Sequence, residues 1–328
     1  MTTKLTIHDI AKAAGVSTGT VSRALNDRTG VNPETRHAIL ELVARLGYRP
    51  DLGARQLARG TRSVVGITRF SDTSLRNPYY TLLVDAIQTA LLDSGYAVHI
   101  IRNDSELLEG HFAGIIIPGI HLADARPNEL QRRKIPFTVI GLGAPNAQIA
   151  SVELENRFGM IEVMRHIAKL GHKQIAHLTG TPIGIDAQAR LDSYKEGLTE
   201  AGLEFNPQLV LDGRFTELGA YRTISTSLRQ KQAFSALVCA SDEMAIGAIQ
   251  AIEDAGLRVP QDISVTGFDD LQLEGFQSAA LTSVHQPLER IGREAATLLL
   301  EQIEGKKPRC VLIYPDLMIR SSSAKLKQ

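Results

Sequence analysis

The sequence predicts an α/β protein with an N-terminal three-helix head and a two-lobed body of doubly wound parallel sheets. Short capped helices fill the first 47 residues, and from about residue 63 short apolar strands alternate with amphipathic helices. The strands fall into two successive series, which indicates two sheets. A chain of 328 residues, 43% of them hydrophobic, is long enough to form a head and two lobes.

The head begins with two short helices joined by a three-residue turn, the arrangement of a helix-turn-helix. Thr6 followed three residues later by Asp9 resembles a capping box, Gly15 ends the first helix, and Ser17 is placed to cap the second. The second helix has an inward face of Val21, Ala24 and Leu25 and an outer face of Thr18, Gly19, Ser22 and Arg23.

Residues on the outer face of such a second helix contact base edges in DNA. Arg23 carries a planar fork that matches guanine O6 and N7, Thr18 donates or accepts a hydrogen bond, and Gly19 lets the backbone come close. The alternative is a plain helical hairpin inside a larger core.

The N-terminal position and two further features favour DNA binding. A third helix follows, with Asn32 as its N-cap, Pro33 at its first position, Gly47 as its stop and an inward face of Ile39, Leu42, Val43 and Leu46. Residues 1–62 carry ten Lys/Arg against five Asp/Glu, which leaves 26 against 31 for the rest of a chain of zero net charge. A basic head on an acidic body predicts phosphate contact at one end only.

The strands of the body are continuous apolar runs, which are typical of parallel sheets covered on both faces. Two such lobes generally bind a ligand in the cleft between them, outside the carboxyl ends of the strands. The first series covers 64–67, 98–101, 114–117 and 137–140, and the second covers 175–178, 209–211, 236–238 and 263–265.

The composition disfavours several classes of protein. No apolar run approaches the roughly 20 residues that span a bilayer, and residues 1–25 lack the apolar block of a signal peptide, so we expect a cytoplasmic protein with no membrane partner. Cys239 and Cys310 are too few for a disulfide framework and are expected to be buried free thiols. Without a convergent nucleophile, metal-ligand cluster or phosphate-cradling glycine loop, we expect no catalytic residue, metal or cofactor.

Motifs along the whole chain match one family. They are IHDIA (7–11), GVS (15–17), TVSRALN (20–26), LGYRP (46–50), ARQLA (54–58), GHK (171–173), RL (190–191), SDEMAIG (241–247), VP (259–260), GFDD (267–270) and LTSVHQP (281–287). With these motifs the chain resembles the LacI/GalR family of bacterial transcription regulators.

The resemblance implies a homodimeric repressor of a pseudo-palindromic double-stranded DNA operator. Its effector, expected to be a carbohydrate, would bind in a body like a periplasmic sugar-binding protein. The implied domains are a head at 1–48, a hinge linker at 49–62 and the body at 63–328. Within the body, the N-lobe takes about 63–160 and 287–317, and the C-lobe about 161–286 and 318–328.

The resemblance also implies a hinge helix near residues 51–59. Two such helices would pair over the minor groove, where Leu57 inserts between base steps. Nine residues are too few to hold this helix off DNA, and Gly53 replaces a larger apolar residue that is usual there. We assign DNA contact to Thr6, Ser17, Thr18, Gly19, Thr20, Ser22, Arg23, Asn26, Asn32, Tyr48, Arg55, Leu57 and Ala58.

In the cleft, Arg190 and Asp269 match the family positions that hold effector hydroxyls or polar ring atoms. The predicted effector-binding residues are Phe70, Tyr79, Tyr80, Arg190, Phe215, Ser241 and Asp269. Two alternatives stay open: Arg190 could pair on the surface with Asp192 or Asp186, and the aromatic residues could be ordinary core.

Arg69 and Arg102, at the ends of the first two strands, are unusual. They would favour an anionic effector, but the simpler interpretation is that they are solvated near Asp72 and Asp104. The segment from Arg102 to Ala113 is shorter than in the family, so the first lobe is expected to lack a covering helix. The C-terminus has no leucine heptad, so no tetramer-forming helix is expected.

Two other functions share features of this sequence. A solute-binding transport component would share the two-lobed body, but the basic head and the missing signal peptide count against it. A cytosolic α/β enzyme would use Asp269 and Asp270 as an acid/base pair, yet adjacent carboxylates after a strand point in different directions. His172 and His285 are expected to be structural.

Overall fold

The computed structural model describes residues 7–25, 29–46, 64–70, 77–92, 94–143, 146–181, 184–271 and 280–326. The head and the body are two compact units, and each is considered by itself. Within these ranges, no helix has the length and apolarity needed to cross a membrane.

The head consists of α1 (Ile7–Ala14), α2 (Thr18–Leu25) and α3 (Pro33–Leu46). At Gly15 the backbone turns left-handed with a φ of 65°, and the N–H of Val16 donates to the carbonyl of Ala11 at 3.0 Å. This 6→1 hydrogen bond is the mark of a Schellman ending, so a glycine is required there.

The next two helices start at the predicted caps. The Ser17 hydroxyl accepts a hydrogen bond from the Thr20 N–H at 3.1 Å, and the Asn32 side chain accepts one from the Glu34 N–H at 2.8 Å. Both caps satisfy backbone donors that a helix leaves without partners.

The three helices enclose a small apolar core. Leu46, expected on this inward face, is instead 39% exposed, because it is the last residue of α3. The buried core residues are Ile10, Ala11, Val21, Ala24, Ile39 and Leu42, and the partly buried Leu25 and Val43 pack against them.

The body contains two six-stranded sheets. The first is formed by β1 (Val64–Thr68), β2 (Ala97–Ile101), β3 (Gly114–Pro118), β4 (Phe137–Ile140), β5 (Ala150–Leu154) and β11 (Cys310–Ile313). The second is formed by β6 (Ile175–Thr179), β7 (Val210–Asp212), β8 (Ala236–Cys239), β9 (Ser264–Asp269), β10 (Thr282–His285) and β12 (Asp316–Met318).

The strand orders are those of doubly wound sheets. The first sheet runs β11-β5-β4-β3-β1-β2 and is parallel throughout, as predicted. The second runs β12-β10-β9-β8-β6-β7 and is parallel except for β12, which pairs antiparallel with β10.

Helices cover both sheets. In the first lobe they are α4 (Pro78–Leu92), α5 (Asp104–Glu109), α6 (Arg126–Arg132) and α11 (Leu288–Ile303). In the second lobe they are α7 (Asn156–Lys169), α8 (Ile185–Glu200), α9 (Glu217–Arg229) and α10 (Asp242–Asp254). The pairs α4 and α11, α7 and α8, and α9 and α10 pack against each other.

The chain passes between the lobes three times: after Leu154, after His285 and after Ile313. Helix α7 packs on β10 and β12, so the second lobe begins at Asn156, slightly before the expected start at about residue 161. Strand β12 returns the chain to the second lobe at Asp316, again just before the expected boundary at 317.

Two further details differ from the sequence expectations. The short segment after β2 does not lack a helix, because the six-residue α5 lies there, with Asn103 as its N-cap. Cys239 is a buried free thiol as expected, whereas the free thiol Cys310 is only half-buried, since it starts the edge strand β11.

Helices α9 and α10 approach closely at Gly247. A Cβ at this position would lie 2.1 Å from the carbonyl oxygen of Glu217, so only glycine fits. We expect Gly247→Ala to lower the free energy of unfolding by about 1–3 kcal/mol, because overpacking forces the helices apart. Urea denaturation of the full chain measures this.

Gly184→Ala is the matched control. A Cβ at Gly184 meets its nearest neighbour at 3.5 Å, an ordinary contact, so the loss should stay below about 1 kcal/mol. If Gly247→Ala were as stable as the wild type, the result would contradict the conclusion that only glycine fits between α9 and α10 at this position.

Candidate DNA-binding and ligand-binding sites

The outer face of α2 is accessible as predicted. Ser17, Gly19 and Arg23 are exposed, and Thr18, Thr20 and Ser22 are half-buried. The Arg23 Nε donates to the Gly19 carbonyl at 3.1 Å, which anchors the guanidinium on its own helix. Its two Nη groups form the fork that would match a guanine edge.

Two other residues that were predicted to contact DNA, Asn32 and Ser17, also stabilise the head. Asn32 is exposed and caps α3. Ser17 holds Thr20 through its hydroxyl, with the two side-chain oxygens 2.9 Å apart. The remaining predictions, Thr6, Asn26, Tyr48, Arg55, Leu57 and Ala58, lie outside the described residues, as does the hinge at 51–59.

The body site is organised around Arg190 on α8. Arg190 is only 5% exposed. Its Nε donates to the Asn156 side-chain oxygen at 2.8 Å, its Nη1 donates to the Ala240 carbonyl at 2.5 Å, and its guanidinium carbon lies 3.8 Å from the centre of the Phe268 ring. The guanidinium is therefore held in one orientation at the carboxyl end of the second sheet.

The surface ion pair considered for Arg190 does not form. Asp192 instead accepts hydrogen bonds from Gln188 and Lys195 on the same exposed helix face. Asp186 accepts from Asn156 at 2.9 Å, so it reaches Arg190 only through that amide.

Asp269 supplies the opposite charge. It ends β9 at a φ of 126°, rare for a residue with a side chain, and is 6% exposed. Its Oδ1 lies 3.9 Å from Arg190 Nη1 and accepts a hydrogen bond from the Gln286 amide at 2.6 Å. Burial raises the pKa of this carboxyl well above its usual value, while Arg190 acts in the opposite direction.

Gln286 connects this charged pair to the first lobe. Its side-chain oxygen accepts a hydrogen bond from the Tyr79 hydroxyl, which comes from α4, at 3.2 Å. Burial, with the nearby charge of Asp269, raises the pKa of Tyr79 and keeps the phenol protonated. Arg190, Asp269, Gln286 and Tyr79 thus form one polar connection across the cleft.

The neighbouring carboxylate serves another purpose. Asp270 accepts a hydrogen bond from Arg320 at 2.5 Å, and its other oxygen lies 3.1 Å from His285 Nδ1. Asp269 and Asp270 therefore face different partners, which argues against an acid/base pair.

The other histidine of interest is part of the fold. The ring nitrogens of His172 lie 2.9 Å from the Ser235 hydroxyl and 2.9 Å from the Ala324 carbonyl, in a buried position. Among the described residues, no group of three His, Cys, Asp or Glu side chains is arranged to hold a metal ion.

The aromatic residues of the first lobe separate into two roles. The rings of Phe70 and Tyr79 lie 6.2 Å apart at the end of β1 and the start of α4. Tyr80 is completely buried and donates its hydroxyl to the Thr68 carbonyl at 3.0 Å, and burial raises its pKa to about 12. Tyr80 therefore fits the core alternative, supporting Phe70 edge-on at 5.1 Å.

The second lobe contributes the last two predicted residues. Phe215, at a left-handed φ of 52°, packs directly over Gly180, where any Cβ would overlap the ring. Ser241 is buried and caps α10 by accepting from the Met244 N–H at 3.3 Å. Its hydroxyl oxygen therefore stabilises the start of α10.

Two site residues were absent from the sequence prediction. Asn156 and Gln286 each follow a passage of the chain between the lobes, and each binds one member of the charged pair. Their signal in the sequence is weak: a polar residue at the start of an apolar helix, and a glutamine before a proline.

A buried carboxylate lies behind the site. Asp242 accepts hydrogen bonds from the Ser283 hydroxyl at 2.5 Å and from the Leu271 N–H at 2.7 Å, two residues beyond Asp269. Burial raises its pKa from 3.8 to about 6.

This pKa shift predicts a pH dependence. Between about pH 4 and 6 the folded protein holds a proton on Asp242 that the unfolded chain has lost, so the contribution of Asp242 to stability falls as pH rises through this range. The loss amounts to at most about 3 kcal/mol. In urea denaturation at several pH values, the stability of the wild type relative to Asp242→Asn should fall between pH 4 and 6, and a constant difference would contradict the assignment.

Comparison with known proteins agrees with this architecture. Residues 6–51 match the model described as bacterial regulatory proteins, lacI family, and residues 164–323 match the periplasmic binding protein-like domain. The HTH-type transcriptional repressor PurR of Erwinia tasmaniensis is 33% identical over 333 residues, which cover 97% of each chain.

Solved structures are similar over nearly the full length. The transcriptional regulator CelR in complex with cellobiose has a TM-score of 0.73 at 30% identity and covers 97% of this chain and 99% of its own. The lac repressor dimer bound to operator and the anti-inducer ONPF has a TM-score of 0.72 at 27% identity and covers 98% and 100%. The chain therefore belongs to the LacI family of bacterial regulatory proteins.

Proposed function

We propose that this protein is a transcriptional repressor that binds a pseudo-palindromic operator as a homodimer. A small carbohydrate bound between the lobes changes its affinity for that operator. The observation that carries the proposal is the buried group of Arg190, Asp269, Gln286 and Tyr79 on a chain that also has a helix-turn-helix head.

The chemistry of this group suits a sugar. Arg190 offers N–H donors and Asp269 offers carboxylate oxygens, so neighbouring hydroxyls would find both kinds of partner. The rings of Phe70 and Tyr79 supply an apolar surface for the face of a sugar ring. CelR, a relative, has been solved with cellobiose.

The site also offers a route from ligand to operator. Asn156 and Gln286 bind the charged pair and stand at two of the passages between the lobes. A ligand that replaces hydrogen-bond partners of Arg190 and Asp269 changes the hydrogen bonds of Asn156 and Gln286. The relation between the lobes then changes, and operator affinity changes with it.

A regulatory function agrees better with the observations than the alternatives. The relatives PurR and CelR are transcriptional regulators rather than enzymes, and Asp269 and Asp270 face different partners. A DNA-binding regulator acts where the chromosome is, so we place the protein in the cytoplasm.

Arg23→Ala tests the DNA interface. We expect it to relax the base preference at one position of each half-site at a cost of about 1–3 kcal/mol, because a bidentate guanine contact is lost. Binding to an operator library by the wild type and the variant measures this. Lys12→Ala, a basic residue exposed on α1, should keep the base preference. Equal weakening of Arg23→Ala on all sequences would exclude base recognition.

Asp269→Asn tests the effector site. We expect operator affinity to remain within about twofold, while the response to an active sugar is lost with its carboxylate acceptor. Operator binding is titrated with cellobiose, ribose and a wider sugar panel. Asp192→Asn, exposed on α8, should respond like the wild type. An unchanged response of Asp269→Asn would remove Asp269 from the site.

A further inference from the structure

The two lobes also contact each other through side chains that lie outside the passages of the chain. Asn77, immediately before α4 in the first lobe, donates from its side-chain nitrogen to a carboxylate oxygen of Glu243 at 2.7 Å. Glu243 is the second residue of α10 in the second lobe. This hydrogen bond therefore joins the lobes directly.

Each partner is also fixed within its own lobe. The side-chain oxygen of Asn77 accepts a hydrogen bond from the Tyr80 N–H at 2.9 Å, so Asn77 is the N-cap of α4. Glu243 accepts a hydrogen bond from the backbone N–H of Glu217, the first residue of α9. The oxygen of the Asn77 amide thus holds its own helix, and the nitrogen holds the other lobe.

A second contact between the lobes involves the start of α8. Gly184 forms an isolated antiparallel β-bridge with His121, which follows β3 in the first lobe. Gly143, which follows β4, packs so closely on Ile185 that a Cβ there would lie 2.4 Å from the Ile185 Cγ2. This contact consists of backbone and apolar packing, whereas Asn77 and Glu243 meet through a directional polar bond.

These contacts close the lobes over the proposed ligand site. Arg190 and Asp269 are buried, so a ligand reaches them only when the lobes separate. The hydrogen bond between Asn77 and Glu243 lies beside this site, because Asn77 is two residues before Tyr79. Separation of α4 from α10 would break it.

We propose that the hydrogen bond between Asn77 and Glu243 is a latch, which holds the lobes closed and must break before a ligand enters or leaves. A hydrogen bond to a carboxylate is stronger than one between neutral groups, and it is lost when its two atoms move apart by about 1 Å. A small rotation of the lobes therefore releases it completely. The proposal rests on the proposed function, since it concerns exchange of the ligand which that function requires.

Asn77→Asp breaks the latch without removing the cap of α4. Aspartate caps helices as well as asparagine does, and its charge suits a helix N-terminus. It has no N–H to donate, however, and it places a second carboxylate against Glu243. We expect the ratio of closed to open chains to fall about tenfold or more, because repulsion replaces a hydrogen bond to a charged group.

The double variant Asn77→Asp/Glu243→Gln restores the hydrogen bond in the opposite direction. The glutamine amide then donates to the aspartate carboxylate, so closure should return to the wild-type level. Asn206→Asp is the matched control. Asn206 is exposed and caps the 3₁₀ turn Pro207–Leu209 by accepting from the Gln208 N–H at 3.0 Å, a contact within the second lobe, so this variant should stay closed.

Double electron–electron resonance measures the closure of the full-length protein with no ligand added. Spin labels are attached through Gln88→Cys on α4 and Gln250→Cys on α10, both at exposed positions. A Cys310→Ser background leaves Cys239 as the remaining native thiol, which is buried. Dilution with unlabelled protein restricts the measured distances to one chain. We expect one narrow distribution for the wild type and an added population at longer distance for Asn77→Asp.

Identical distance distributions for the wild type and Asn77→Asp would overturn the latch. So would a double variant that stays as open as Asn77→Asp alone, or equal opening of Asn77→Asp and Asn206→Asp. Because no ligand takes part in the measurement, a latch confirmed in this way would stand even if no sugar changed operator binding.

Discussion

Arg190 and Asp269 are buried together at the place where the chain passes between the lobes, and much of the body is arranged to hold them. Burial of an ion pair stabilises a fold little, because desolvation offsets the attraction. Here the two charges do not touch: Nη1 and Oδ1 lie 3.9 Å apart, and each charge is hydrogen-bonded mainly to neutral groups. Such a pair contributes little to stability and suits the ligand-binding role that we propose for it.

The surrounding structure is consistent with that purpose. The unusual backbone at Asp269 and Asp270 turns one carboxylate towards Arg190 and the next towards Arg320. Asp242 holds the chain just beyond them through Leu271. Strain and buried charge concentrate at functional sites, where the rest of the fold compensates for them.

Local signals explain what could be predicted from the sequence. Signals within a few residues encode the starts of α2 and α3 at Ser17 and Asn32 and the end of α1 at Gly15. The apolar strands of both sheets are predicted directly from their continuous apolar runs. Strands β5 and β10 were missing from the predicted series because their Ser151, Thr282 and Ser283 are polar yet buried. Arg190 and Asp269 followed from the family resemblance, whereas Asn156 and Gln286 depend on where distant segments meet. No local pattern encodes that meeting.

We infer that one chain couples operator binding to a ligand held between the lobes. Selection of bound sequences from a random DNA pool by the purified protein, repeated with each member of a sugar panel, tests it most directly. We expect a two-fold symmetric motif whose recovery one sugar changes. Absence of any enriched motif, or a motif that no sugar changes, would contradict the coupling.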